Sequence, residues 1–149
     1  MKTTELMIGD WVQSEQLVAP ARYSGFFRHF PETVSGKPYT RLECLYEGGR
    51  EGGEVPEDKV MPIPLTPEIL VKNAFFLDDD GWYVWNDYTH NPTQHFVAVS
   101  FHRGGSVRHI EIKSARCHAN YENVRHIHEL QHALRLCGLN SLADNFKIK

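Results

Sequence analysis

The strongest periodic signal lies near the C-terminus, where Val124, Ile127, Leu130, Leu134 and Cys137 recur at spacings of three and four. That spacing lines one side of a helix. It predicts a helix from about Tyr121 to Cys137, stopped by Gly138 and capped by an apolar contact from Leu139. Upstream the period drops to two. Trp82 to Trp85, His95 to His102 and Ser106 to Lys113 read as strands, the last two joined across Arg103-Gly104-Gly105 as a hairpin. The three form an antiparallel meander, entered through the turn Asp78-Asp79-Asp80-Gly81. Before it, Thr66-Pro67-Glu68 combines a capping oxygen, a proline at the first helical position and an early carboxylate, the start of a short helix from Pro67 to Asn73. The second half therefore reads α-β-β-β-α.

The first sixty residues carry shorter strand signals. Leu6 to Val12 is interrupted by Gly9-Asp10, Ala21 to Phe30 is rich in aromatic strand formers, and Tyr39 to Tyr46 alternates Leu42, Cys44 and Tyr46 on one side. Pro31 to Pro38 and Glu47 to Pro56 read as loops, the second a hairpin tip because it holds Gly48-Gly49 and Gly52-Gly53. Met61 to Pro67, with prolines at 62, 64 and 67, forms an extended boundary. The expected fold class is α+β. A barrel-like β unit of SH3 size over 1–61 precedes a two-layer unit with an antiparallel sheet over 62–149, the two being separate or one compact domain.

Composition narrows the class of function. With 41% apolar and 23% charged residues and a mean hydropathy of -0.45, the chain belongs with globular proteins rather than disordered or membrane-spanning ones. A net charge of -3 supplies no basic footprint for nucleic acid or an anionic membrane. Met1 to Val12 lacks the apolar run of a secretory signal, and no stretch approaches the ~20 apolar residues of a membrane span. Cys44, Cys117 and Cys137 are an odd number without a C-x-x-C pair, which argues against a disulfide framework and for a reducing, cytoplasmic setting.

One motif makes a specific chemical claim. His128-Glu129-Leu130-Gln131-His132 fits H-E-x-x-H, in which two imidazoles one helical turn apart grip a zinc ion and the glutamate takes a proton from metal-bound water. On that reading the protein is a zinc-dependent hydrolase of the zincin type, with His128 and His132 as ligands, Glu129 as general base and Asp144 as third ligand. Several features oppose it. The seventeen residues after His132 hold no histidine or glutamate, and Arg135 and Gly138 stand where the metzincin extension needs glycine and histidine. The apolar stripe points about 120° from His128 and about 160° from His132, which puts both imidazoles on the face turned from the core. Nine histidines in 149 residues also make a chance match common. The favoured expectation is a protein without catalytic residues and without a cofactor, zinc belonging only to the hydrolase alternative.

Other candidates are weaker. Cys117, His118, His126 and Cys137 could complete a structural zinc site but lack paired ligand spacing. Asp78 to Asp80 lacks the alternation of a calcium loop and reads as turn chemistry. Trp82, Tyr83, Trp85, Tyr88 and Phe96, with Arg103, Arg108, Lys113 and Arg116 nearby, could stack single-stranded bases. Strand alternation turns Trp82 and Val84 one way and Tyr83 and Trp85 the other, so packing accounts for most of them and nucleic acid is not the expected partner. There is no Ser-His-Asp order, nucleophile elbow or phosphate loop.

Taken together, Ile8-Gly9-Asp10-Trp11-Val12, Pro62-Ile63-Pro64-Leu65-Thr66, Asp80-Gly81-Trp82-Tyr83-Val84 and His128-Glu129-Leu130-Gln131-His132 resemble a family of small uncharacterised proteins of gut Bacteroidetes and their phages. The resemblance follows most of the chain in order. It implies a terminal helix like His-Glu-Leu-Gln-Asn, in which the second histidine is dispensable, and a phage or mobile-element context without an associated activity. The resulting expectation is a small intracellular binding or accessory module that contacts another protein, and no membrane, through sheet edges and the aromatic patch.

Overall fold

The computed structural model describes residues 5–17, 19–27, 39–46, 49–87 and 95–148, with the backbone alone at 25–27, 39–46 and 49–54. The expected loop at Pro31 to Pro38, the side chain of Cys44, and Tyr88 lie outside the described residues. The chain divides into two compact units, Met1–Ile63 and Pro64–Lys149.

The first unit is an antiparallel sheet of five strands: β1 (Trp11–Gln13), β2 (Ala21–Phe27), β3 (Tyr39–Tyr46), β4 (Gly49–Pro56) and β5 (Met61–Pro62). Their order is β4-β3-β2-β1-β5, so the chain meanders and β5 returns to pair with β1 through Val12↔Pro62 and Gln13↔Met61. Gly9, at φ 93°, makes the turn into β1 that a side chain would strain. The buried Asp10 carboxylate accepts the Met7 amide at 2.8 Å and holds that turn. Val12, Ala21, Tyr23, Val55 and Val60 form the core, with Leu6 and Leu17 packed against it, and the Arg22 guanidinium lies 5.0 Å over the Trp11 ring.

Two expectations for this unit change. Residues 49–56, expected in a loop, are a strand paired with β3 at eight positions from Tyr39↔Pro56 to Tyr46↔Gly49. Glycine weakens a strand through entropy and lost side-chain packing but still makes the backbone ladder, and β4 is an edge strand with one partner. The sheet is also open. Among the described residues no pairing joins edge strands β4 and β5, so there is no closed barrel.

The second unit holds α1 (Pro67–Lys72), β6 (Phe76–Leu77), β7 (Tyr83–Asn86), β8 (Phe96–Phe101), β9 (Val107–Lys113), β10 (His118–Tyr121), α2 (Ile127–Leu136) and α3 (Asn140–Asp144). Thr66 stands at the N-cap of α1 in extended conformation and Pro67 opens the helix, as that spacing predicts, but the Thr66 side chain makes no capping hydrogen bond. The β8–β9 hairpin closes where expected, with the His102 amide bonding Ser106 O at 2.8 Å. The sheet, however, has five antiparallel strands in the order β10-β9-β8-β7-β6, not three. β6 is only two residues long, too short for a period to show. β10 takes residues assigned to the helix and its approach: Tyr121 pairs with Ile110 and Ala119 with Ile112, and the helix starts six residues later at Ile127.

Directly paired residues share a face of the sheet. Val97, Val99, Ile110 and Ile112 form one buried face, joined by Tyr121. The Tyr121 hydroxyl lies 4.0 Å from Cys137 Sγ at the end of α2, so that helix covers this face. The predicted stripe, Val124, Ile127, Leu130, Leu134 and Cys137, is buried throughout. The other face carries Ala98, Ser100, His109, Glu111 and Asn120. After α2 the chain turns at Gly138 (φ 78°) into α3, which the sequence pattern did not predict. Buried Asn73 then fixes the C-terminal segment: its amide nitrogen donates to Lys147 O at 2.8 Å, and its amide oxygen accepts the Lys147 N–H at 2.7 Å.

Candidate functional site

The H-E-x-x-H residues fall at the first turns of α2. His126 precedes the helix in extended conformation (φ -125°, ψ 159°). The Glu129 carboxylate reaches back past it, with Oε2 accepting the Arg125 amide at 2.7 Å and the His126 amide at 3.0 Å. This is the glutamate half of a capping box, which satisfies amides that a helix start leaves unbonded. Burial alone would raise the Glu129 carboxyl, but those two amides and the His126 side chain, 3.3 Å away, outweigh it and hold it below its ordinary value. A general base for hydrolysis near neutral pH works best with a carboxyl shifted upward.

His128 lies only 5% exposed, which corrects the expectation that both imidazoles face away from the core. The stripe locates one covered side of α2, and the helix has more than one. Beside its start, Leu65 donates its amide to Arg125 O at 2.9 Å and Pro64 bridges to His126. Beside its middle, the fully buried Gln131 donates to Ala143 O of α3 at 2.9 Å. His128 stacks on His126, with ring centroids 5.7 Å apart and planes at 16°, and meets His132 edge-on at 5.9 Å. Asp144, the expected third ligand, is 59% exposed and bound to Arg135, whose Nε and terminal nitrogen lie 3.2 and 3.1 Å from Oδ1. Among the described residues no group of three His, Cys, Asp or Glu side chains is placed to hold a metal ion. Of the other proposed zinc ligands, His118 bonds Glu111 at 2.7 Å, and the Cys117 and Cys137 sulfurs lie 2.7 Å apart, a pairing that their sequence spacing does not reveal. Asp78 Oδ1 accepts the Asp80 and Trp82 amides, which is turn chemistry.

The open face of the second sheet holds a different constellation. A cleft of about 640 Å³ is lined by Trp82, Ser100, His102, Arg108, His109, Glu122 and Asn123. Ser100 and His109 are paired across β8 and β9. The Trp82 ring meets His109 edge-on at 5.7 Å, and His109 Nε2 lies 3.1 Å from Asn120 Oδ1 on β10, which orients the imidazole from both sides. Ser100 Oγ is buried and has no hydrogen-bond partner among the described residues. A buried hydroxyl without a partner is uncommon and calls for an explanation.

Arg108 reaches this cleft because of a bulge. Ser100 pairs with His109 but Phe101 pairs with Val107, leaving Arg108 as an extra residue in β9. In a regular strand the residue beside His109 would turn toward the face that α2 covers. The bulge instead leaves Arg108 exposed and lining the cleft. Of the described aromatics singled out from sequence, only Trp82 lines it; Tyr83 packs edge-on against Phe101 at 5.6 Å on the helix-covered side. Arg103 lies in the hairpin turn, and Arg116 approaches Gly138. The arginine cluster envisaged for nucleic acid is thus reduced to Arg108 alone among the residues lining the cleft. Sequence reasoning singled out Trp82 and Arg108 but passed over Ser100, His102 and His109, which carry no motif.

No helix among the described residues is long and apolar enough to cross a membrane. Comparison with protein-family models, curated proteins and solved structures finds no match, so the site's chemistry is read from its geometry alone.

Proposed function

We propose that this protein is a non-catalytic binding module that receives an acidic segment of a partner protein in the Trp82–Arg108 cleft. The β9 bulge carries the reading, because it brings Arg108 into the same cleft as Ser100, whose buried hydroxyl has no partner among the described residues. A carboxylate on the incoming segment would accept from both Arg108 and Ser100 Oγ, while the indole of Trp82 gives the adjoining residue an apolar surface. Strand β10 is a sheet edge and runs directly into Glu122 and Asn123 at the cleft. An extended peptide laid along that edge would arrive there with its side chains alternating toward the cleft. Glu122 in the lining and the overall net charge of -3 favour a single carboxylate over a polyanion such as nucleic acid.

The remaining elements fit an accessory role. The first unit, an open sheet of five antiparallel strands with a 3-10 turn at Glu57–Lys59 before the last, supports the reading of a small β module of SH3 size. The resemblance to a family of small uncharacterised proteins of gut Bacteroidetes and their phages supports a mobile-element setting, and three cysteines without a C-x-x-C pair support an intracellular one. The competing zinc hydrolase would need Glu129 to release two backbone amides before it could serve as a base. Probing an array of acidic and amide-substituted peptides with the intact chain and with Arg108→Ala tests the proposal. It predicts a bound set that depends on a peptide carboxylate and weakens at least tenfold in the variant. Absence of any bound set, or binding indifferent to Arg108, would overturn it.

A further inference from the structure

On the helix-covered side of the same unit, two cysteines separated by nineteen residues meet. Cys117 closes the turn between β9 and β10, where the Ser114 amide bonds Cys117 O at 2.7 Å. Cys137 caps the C-terminus of α2, and its carbonyl accepts the Ser114 hydroxyl at 2.6 Å. The turn and the helix end are therefore already joined, and the joint sets the two sulfurs 2.7 Å apart. A disulfide bond is ~2.05 Å long, so the pair needs to close by well under an ångström.

We propose that Cys117 and Cys137 form a reversible disulfide, made by exchange with a small disulfide of the glutathione class. The two thiols differ in access. Cys117 is partly exposed and Cys137 is buried. Cys117, as thiolate, attacks one sulfur of the oxidant, forming a mixed disulfide and expelling the first thiolate. Cys137 then loses its proton and attacks the Cys117 sulfur, expelling the second. Two electrons pass from the protein pair to the oxidant, which leaves as two thiols. Burial, and after it the neighbouring Cys117, push the Cys137 thiol up to about 11, which suits it to the second, resolving attack rather than the first. The partial exposure of Cys117 gives a small oxidant its access, and a crevice of about 340 Å³ lined by Ser114, Arg116, Cys137, Gly138 and Asn140 opens on the Cys137 side of the pair. Once formed, the bond ties the end of α2 to the sheet and fixes the turn into α3. This site does not depend on the cleft assigned to the partner protein.

The test equilibrates the intact chain in glutathione buffers of graded oxidation, quenches with an alkylating reagent in denaturant so that the buried Cys137 is reached, and maps the labelled and cross-linked peptides by mass spectrometry. Of the three cysteines, all are labelled after reduction and only Cys44 after oxidation, with a 117–137 cross-link that returns to free thiols on adding reductant. Cys117→Ser abolishes the cross-link, and Cys44→Ser leaves it intact. The proposal is overturned if three thiols remain alkylatable in the most oxidised buffer, if glutathione stays attached at Cys117 without resolving, or if the cross-link involves Cys44. The wild-type map decides the matter even where a variant at buried Cys137 does not fold.

Discussion

Asn73 and Lys147 exchange two hydrogen bonds across seventy-four positions of sequence, each using the other's donor and acceptor. A third bond, from the Asn73 amide nitrogen to Ile69 O at 2.8 Å, anchors that side chain to α1. Asn73→Ala leaves the Lys147 N–H and carbonyl without these partners, and a loss of about 2 kcal/mol is expected from unmet backbone groups of this kind. Urea unfolding measures it. A loss below about 0.5 kcal/mol would mean that the C-terminal segment is held by packing of Phe146 and Ile148 alone.

Ser100→Ala separates binding from folding. Removing a buried hydroxyl that lacks a partner is expected to leave stability unchanged or raise it by about 1 kcal/mol. The same substitution should weaken carboxylate-dependent peptide binding. A substantial loss of stability would instead assign Ser100 Oγ a partner in the folded protein.

Glu129→Gln should weaken the start of α2 by about 1 kcal/mol at neutral pH, since a neutral amide caps less well than a carboxylate. The sign with pH follows from the direction of its shift. The folded carboxyl titrates below its ordinary value of 4.5, so its contribution is fully present above that value and fades as pH falls through the lower, folded value. Thermal melts of wild type and variant should therefore converge in acid. A gap that persists unchanged at the lowest pH would show that charge plays no part in the cap.

Zinc distinguishes the two readings of the histidines. If His128 and His132 serve packing, excess zinc leaves the unfolding midpoint of untagged protein where it was. A saturable rise that disappears in His132→Ala would instead establish a folded-state metal site, because ligands that bind only the native state stabilise it by mass action.

What the sequence made legible was the periodic part of the fold. The stripe from Val124 to Cys137 is long enough to define a helix face, and Thr66-Pro67 marks the start of α1 by local chemistry alone. The edges were hidden for opposite reasons. β6 is two residues long, whereas His118 to Tyr121 alternates exposure correctly but lies just before helical spacing that claims Tyr121. His128 was misplaced because one stripe reports one covered side, while Pro64, Leu65 and α3 cover others. The cleft shows the same limit: Trp82 and Arg108 were noticed as types, but their company with Ser100 and His109 depends on cross-strand register.

The supernumerary residue of β9 makes the cleft depend on chain length as well as on side-chain identity. Deleting Val107 would set the arginine opposite Phe101, on the side that α2 covers, and bury a charge among aliphatic neighbours. Deleting Arg108 would restore plain alternation and leave the pocket without its cation. Conversely, inserting one codon into an ordinary hairpin is enough to project a new side chain onto the open face while the paired strand keeps its sequence. A scaffold of this kind can gain or exchange partners through single-residue insertions, with the aliphatic layer beneath left as it was.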